Sequence, residues 1–244
     1  MDSTHTSEGS TLLSNASNVI AFTAHEFKTP LTTIASIVDL LSTKLRADSY
    51  MNPFYEQQLS RITSEIFSLN SMLDEMLTVN NVLSGSFEAR KELLFVEELI
   101  APLQEQFRSL TDNSKTFKLT LSGTPCKIPA NSAQLIRIFT NLISNAFKFS
   151  RENLPAVHLS YQEKMLVITV TDDGIGIPAA DLPHLFQPYF RGSNTNGIAG
   201  TGLGLTIVKT FVTANDGEIS VSSEPDKGTV FTLVFRYPVP AGKI

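Results

Sequence analysis

Apolar residues recur in alternating steps of four and three through Ile20, Ala24, Phe27, Leu31, Ile34, Val38, Leu41 and Leu45. The same rhythm returns through Leu59, Ile62, Ile66, Leu69, Leu73 and Met76. A 3.5-residue period sustained over several heptads belongs to helices packed along a shared seam. Between the two runs, Asn52-Pro53 reads as the N-cap and first helical position of a second helix. The segment is therefore expected to form an antiparallel helical hairpin. Two helices with one stripe each cannot cover both flanks, so a dimeric four-helix bundle is the expected form. Two surface helices of a monomer are the alternative.

The rest of the chain has a different rhythm, with the change near Gly85. Residues 97–111 read as an amphipathic helix, in which Pro102 suits only the first turn or a kink. Residues 117–121 alternate as a strand, and 131–150 form a strongly apolar helix. Segments 156–161 and 165–171 pair as a hairpin around Glu163. A loop rich in Gly, Asn and Ser over 192–200 feeds a helix from about 203 to 215, and strands at 219–223 and 229–235 complete a sheet. Helices on one face of a mixed, largely antiparallel sheet make an α/β sandwich. The expected class is α+β, with a helical hairpin over 12–86 and a sandwich over 90–238.

A chain of 244 residues suits two such modules. Its net charge of −5 supplies no basic stripe for nucleic acid. Cys126 is the sole cysteine, so no intrachain disulfide forms, which fits a reducing compartment. The first ten residues lack the charged and apolar regions of a signal peptide. No apolar run approaches the ~18 residues that a membrane helix needs, so no membrane contact by this segment and a cytoplasmic location are expected.

His25 opens the run His25-Glu26-Phe27-Lys28-Thr29-Pro30-Leu31. It follows Ala24 and so sits at the shoulder of the seam, with Thr29 one turn on along the same face. Pro30 lacks an N–H and crowds the carbonyl of Glu26, which is expected to bend the helix and open a partly exposed imidazole.

Three further groups suggest anion and nucleotide chemistry. Gly200-Thr201-Gly202-Leu203-Gly204-Leu205 opens a helix, where glycines admit an anion to free N–H groups. No Gly-Lys-Ser/Thr follows, and the strand–helix–strand context of a dinucleotide fingerprint is missing. A plain helix-start turn remains the alternative. Asp172-Asp173-Gly174-Ile175-Gly176-Ile177 ends a strand, placing a carboxylate where an exocyclic amine could donate beside room for a flat base. The alternative is a polar turn. Asn141 and Asn145 lie four apart on a helix too apolar to need them, and their oxygens suit Mg²⁺. Lys148 follows one turn later, placed to meet phosphate.

In their order and spacing these boxes resemble the core of sensor histidine kinases of two-component signalling. Residues 25–31 match that family's H box and 141–149 (NLISNAFKF) its N box. Residues 172–177 match the first G box, 185–191 (LFQPYFR) the F box and 200–205 the second G box. The resemblance covers nearly the whole chain, from about Leu12 to Phe235. It implies ATP and Mg²⁺ as cofactors, a homodimer, and the receiver domain of a response regulator as partner. It also implies roles. His25 would be the phospho-acceptor, Glu26 its general base, and Thr29 the residue that positions water for dephosphorylating the partner. Asn145, with Asn141 alongside, would hold Mg²⁺. Lys148 would meet phosphate, Phe149 would wall the site and Asp172 would read adenine. Gly174, Gly176, Ile177, Gly200, Thr201, Gly202, Leu203, Gly204 and Leu205 would shape the site, and Arg191 would begin its lid. The chain departs from the family pattern at Asn131 (often Asp), Phe149 (often Tyr) and Asn215-Asp216-Gly217 (usually His-Gly-Gly).

Overall fold

A computed structural model describes residues 5–83, 90–110, 116–195, 197–198 and 200–237, with the backbone alone described over 5–25, 64, 67–68, 71, 79–83 and 109–110. The change of character near Gly85 and the expected module ends at 86 and 238 lie outside these residues. The chain divides into two compact units, Met1–Phe87 and Glu88–Ile244.

The first unit is a hairpin of two helices, α1 (His5–Ala47) and α2 (Pro53–Leu83). The turn between them is closed from both sides. Tyr50 donates its N–H to the Leu45 carbonyl at 2.9 Å and Ser49 donates to Arg46 at 3.2 Å. Ser49 adopts φ 59°, so α1 ends in a Schellman motif with serine where glycine is usual. Asn52 then caps α2, its Oδ1 accepting the Tyr55 N–H at 3.0 Å. Pro30 lies inside α1, which continues through it without interruption.

The heptad seam separates into two interleaved registers, each with its members seven residues apart. Val38 and Ile66 are buried, each 6% exposed, and Leu31, Leu45, Leu59 and Leu73 are half-buried along the same rows. The interleaved row Phe27, Ile34 and Leu41 is 56%, 45% and 49% exposed, and Ile62 and Leu69 on α2 are similarly open. One register is thus covered within the hairpin, while the other is exposed among the described residues.

The second unit contains β1 (Glu92–Leu94), α3 (Val96–Leu110), β2 (Lys118–Ser122), β3 (Ile128–Ala130) and α4 (Ser132–Phe149). It continues with β4 (Ala156–Tyr161), β5 (Met165–Asp172), α5 (Gly204–Ala214), β6 (Gly217–Glu224) and β7 (Gly228–Arg236). Five strands form one sheet in the order β2-β4-β5-β7-β6. Only β2 and β4 pair in parallel, so the sheet is mixed and mostly antiparallel. A small antiparallel pair, β1 with β3, was not anticipated from the sequence. Pro102 falls in the second turn of α3, later than its preferred first turn.

Strict alternation on β4 and β5 sends Val157, Leu159, Leu166, Ile168 and Val170 inward. Ile100 and Phe107 of α3, Ile138, Phe139 and Leu142 of α4, and Ile207, Val208 and Phe211 of α5 are buried as well. Phe107 packs edge-on to Phe117 and stacks on Phe147 at 5.4 Å between ring centres. This core fixes α4 and α5 against the sheet, with their polar flanks left at its rim.

Candidate functional site

Helix α4 is the rail on which the site is assembled. Asn131 caps it by accepting the Gln134 N–H at 3.0 Å. Leu135, Ile138, Phe139, Leu142, Ile143 and Ala146 form its buried face. Asn141, Asn145 and Lys148, in steps of four and three, therefore share another flank.

Each of the glycine boxes meets this rail. Asn141 donates its Nδ2 to the Arg137 carbonyl at 3.0 Å. Its Oδ1 faces Gly204, where a Cβ would lie 2.9 Å away. Two turns further along α4, a Cβ on Gly200 would lie 2.8 Å from the Lys148 ammonium. That ammonium also sits 5.0 Å above the Phe149 ring centre. At the end of the helix, the Phe149 carbonyl accepts the Ile175 N–H at 3.3 Å. A Cβ on Gly174 would come within 2.2 Å of that oxygen, so only glycine permits this approach. Asn145 is half-buried on the same flank, and its side chain makes no hydrogen bond among the described residues.

Asp172 ends β5 with its Oδ1 accepting the Gly174 N–H at 2.9 Å. Burial pushes its carboxyl pKa above the ordinary value, against the opposing pull of the Gly174 and Thr229 backbone. The next residues are pinned to the far edge of the sheet, with the Ile177 N–H donating to Ser223 Oγ at 2.9 Å.

The F box joins the second G box directly. Thr206, buried on α5, donates its hydroxyl to the Phe186 carbonyl at 3.1 Å. Gly202 has φ 74°, and a Cβ there would strike the Tyr189 and Phe190 backbone at 2.6–2.8 Å. Thr201 Oγ1 accepts the Leu203 N–H at 3.1 Å, closing the turn before α5. Leu203 is buried and Leu205 half-buried. Arg191 reaches the Ile198 carbonyl at 2.5 Å and the Thr195 carbonyl at 3.4 Å.

Sequence reasoning overlooked Asp173 and Asp181. Asp173 gathers the N–H groups of Arg151, Glu152 and Asn153 and the Asn153 side-chain amide, at 2.7–3.4 Å. Hydrogen bonds from the Asn153 backbone, foremost, hold its carboxyl below the ordinary value. The Asp-Asp-Gly run was the only available signal, and it did not reveal which carboxylate faces which neighbour. Asp181 binds the turn that follows Arg191.

His25, Glu26 and Thr29 lie on α1 in the other unit. Glu26 and Thr29 are exposed, as is Pro30. The expectation of an exposed imidazole at His25 concerns a side chain outside those described. Lys28 in the same run forms an ion pair with Asp74 of α2, tying this stretch across the hairpin.

The arrangement offers hard amide oxygens, an ammonium and close glycine backbone along one rim, with a desolvated carboxylate at a strand end. That donor set fits a nucleotide with its magnesium ion, which takes oxygen ligands and shares them with phosphates. The chain's two halves match two family models. Residues 16–85 match the His Kinase A (phospho-acceptor) domain, and residues 130–239 match the histidine kinase-, DNA gyrase B- and HSP90-like ATPase. The chain belongs to the sensor histidine kinase family.

Among relatives of this family, the chain is 26% identical over 223 residues to the sensor histidine kinase WalK of Bacillus subtilis, covering 89% of the chain and 36% of WalK. It is 32% identical over 236 residues to the sensor histidine kinase RcsC of Salmonella typhimurium, covering 90% of the chain and 24% of RcsC. The chain therefore spans about a third or less of the length of these curated relatives. In fold it resembles full-length ShkA in complex with AMPPNP, with a TM-score of 0.71 and 21% identity over 93% of this chain and 47% of that one. The histidine kinase AdeS of Acinetobacter baumannii superposes with a TM-score of 0.59 at 20% identity, covering 87% of this chain and 97% of AdeS. No helix among the described residues is long and apolar enough to cross a membrane.

Proposed function

We propose that this sensor histidine kinase core is an ATP-dependent protein-histidine autokinase that phosphorylates His25 and passes the phosphoryl group to an aspartate of a response regulator. The observation that carries this reading is the convergence on α4. The two glycine boxes meet α4 at Asn141, Lys148 and Phe149, along the stretch whose flank bears Asn141, Asn145 and Lys148, in a chain that also matches a phospho-acceptor domain. We assign the helical domain to 12–86 and the ATP-binding domain to 90–238.

A nitrogen of His25 forms the new bond to the γ-phosphorus as the bond to the β–γ bridging oxygen breaks, and ADP leaves. Glu26, next in sequence and exposed, is positioned on the acceptor helix to take the imidazole proton. Asn145 and Asn141 would hold Mg²⁺, which supplies charge neutralisation at the phosphates when bound. Lys148 pairs with phosphate, Asp172 accepts from the adenine amine, and Phe149 lines the base. Most of the rate gain in phosphoryl transfer comes from such positioning and electrostatics. Thr29, one turn beyond His25, positions water for removal of the regulator's phosphoryl group, giving a phosphatase activity.

The uncovered row Phe27, Ile34, Leu41, Ile62 and Leu69 supports a homodimer built as a four-helix bundle. We place this core on the cytoplasmic side of any larger sensor, contacting neither membrane nor nucleic acid itself.

Radiolabel from γ-labelled ATP should appear on the wild-type chain as an acid-labile, alkali-stable phosphate and be absent from His25→Gln. Unchanged ATP hydrolysis in that variant, with no stable label on the wild type, would instead indicate a chaperone- or repair-type ATPase.

A further inference from the structure

The segment between the F box and the second G box is fastened at its root by two side chains that no motif includes. Asp181 Oδ2 accepts both the Ser193 N–H at 2.7 Å and the Ser193 hydroxyl at 2.8 Å. Asn194, the next residue, sends its Nδ2 across to the Gly176 carbonyl at 2.9 Å. The turn itself is closed by Thr195, whose N–H and hydroxyl reach the Gly192 carbonyl at 3.1 and 2.7 Å.

Both anchors belong to a rigid stretch. Gly176 has φ 65° and lies so close to the Glu224 carbonyl that a Cβ would be 1.9 Å from it. Asp181 is held by its own N–H to the Pro178 carbonyl at 2.9 Å, and its carbonyl accepts the His184 N–H at 3.0 Å. Charge-assisted bonds of the Asp181 kind are about twice as strong as neutral ones. Arg191, immediately before the turn, directs its guanidinium onward to the Thr195 and Ile198 carbonyls. The turn is therefore tied to the stretch that follows Asp172, and through Gly202 the same segment returns to the F box.

We propose that Asp181 and Asn194 are positioning residues for ATP. They clamp the 192–195 turn onto the first G box, at Gly176, and onto the stretch just after it, at Asp181, and so set where the chain leading into Gly200-Thr201-Gly202 departs. This inference rests on the ATP-binding reading given above. The two residues touch the segment that surrounds the nucleotide and not the nucleotide itself, so they act on affinity and leave the chemical step alone.

The test is steady-state autophosphorylation of the full chain with ATP and Mg²⁺, alongside thermal melting without nucleotide. Asp181→Ala and Asn194→Ala should each raise the KM for ATP about tenfold, a change of about 1.4 kcal/mol, with kcat within about twofold and the melting temperature unchanged. Asp181→Asn keeps an oxygen for both Ser193 donors and should restore a KM near wild type. The double variant should be no worse than about one single variant, because either loss frees the same turn. A KM in Asp181→Ala equal to wild type would overturn the inference while leaving the kinase reading intact. So would a loss of kcat and stability that Asp181→Asn does not rescue. A wild-type chain that binds no ATP would overturn the kinase reading and this inference together.

Discussion

The Asn131 backbone N–H donates to the Asn215 side-chain oxygen at 2.7 Å, joining two positions 84 residues apart. Asn215 is buried, and its Nδ2 donates to Gln134 Oε1 at 2.6 Å and to the Phe211 carbonyl at 2.7 Å. Asn131 in turn sends its own Nδ2 to the Arg90 carbonyl at 3.1 Å. Two of the places where this chain departs from the family pattern are thus partners of one another. Together they lock the start of α4 to the end of α5.

Removing that partner leaves buried polar groups unpaired. Asn215→Ala should lower the stability of the second unit by about 1–3 kcal/mol, the usual cost of stranded donors and acceptors. Hydrogen exchange of the α4 amides in the full chain should report it as faster opening. Exchange unchanged from wild type would show that the network contributes nothing net.

Ser49 sits at φ 59° at the C-terminal end of α1, where a side chain is disfavoured. Ser49→Gly should therefore stabilise the hairpin by about 1 kcal/mol. Urea melts monitored by helical circular dichroism would detect the gain, and a lower midpoint would refute it.

The two registers of the seam should respond differently to substitution. Val38→Ala removes two buried methyl groups and should cost about 1–3 kcal/mol within the hairpin. Ile34→Asp puts a charge on the open row and should shift the chain from dimer to monomer in sedimentation. A monomeric wild type, or a dimer that survives Ile34→Asp, would remove the four-helix bundle.

Burial raises the Asp172 carboxyl pKa, so its charge opposes folding. As pH rises from the ordinary carboxylate value through the raised folded one, this residue takes stability away. The penalty is complete above the folded value. Asp172→Asn should melt higher than wild type at neutral pH, with the difference vanishing once the wild-type carboxyl is protonated in acid. The same variant should lose nucleotide affinity. A melting advantage independent of pH would exclude the carboxylate charge as its cause.

Much of this was legible in the chain because it is periodic or local. The steps of four and three gave both long helices, and Asn52-Pro53 marked the start of α2 correctly. Alternation marked β2, the hairpin around Glu163 gave β4 and β5, strand-rich runs gave β6 and β7, and the glycine boxes fell where turns had to be. What stayed hidden depends on distant partners. Asp181 looks like any loop aspartate until Ser193 arrives beside it, and Asn215 looks like a turn residue until it is found buried against Asn131 and Gln134. The β1–β3 pair is too short for its alternation to stand out. The seam read as one stripe because a heptad pattern lists the positions that face inward without saying which helix covers each.

Helix α4 meets Gly204 at Asn141, Gly200 at Lys148 and Gly174 at Phe149, so its contacts with both glycine boxes are keyed to one stretch of helix. Substitutions along that stretch change one contact at a time. Inserting or deleting a single residue between 141 and 149 would turn everything beyond it by about 100° around the helix axis, carrying Lys148 off the flank it shares with Asn141. Over this stretch a change of length displaces every site residue beyond it at once, whereas a substitution alters only its own contact, so the count of residues from Asn141 to Phe149 is itself part of the site.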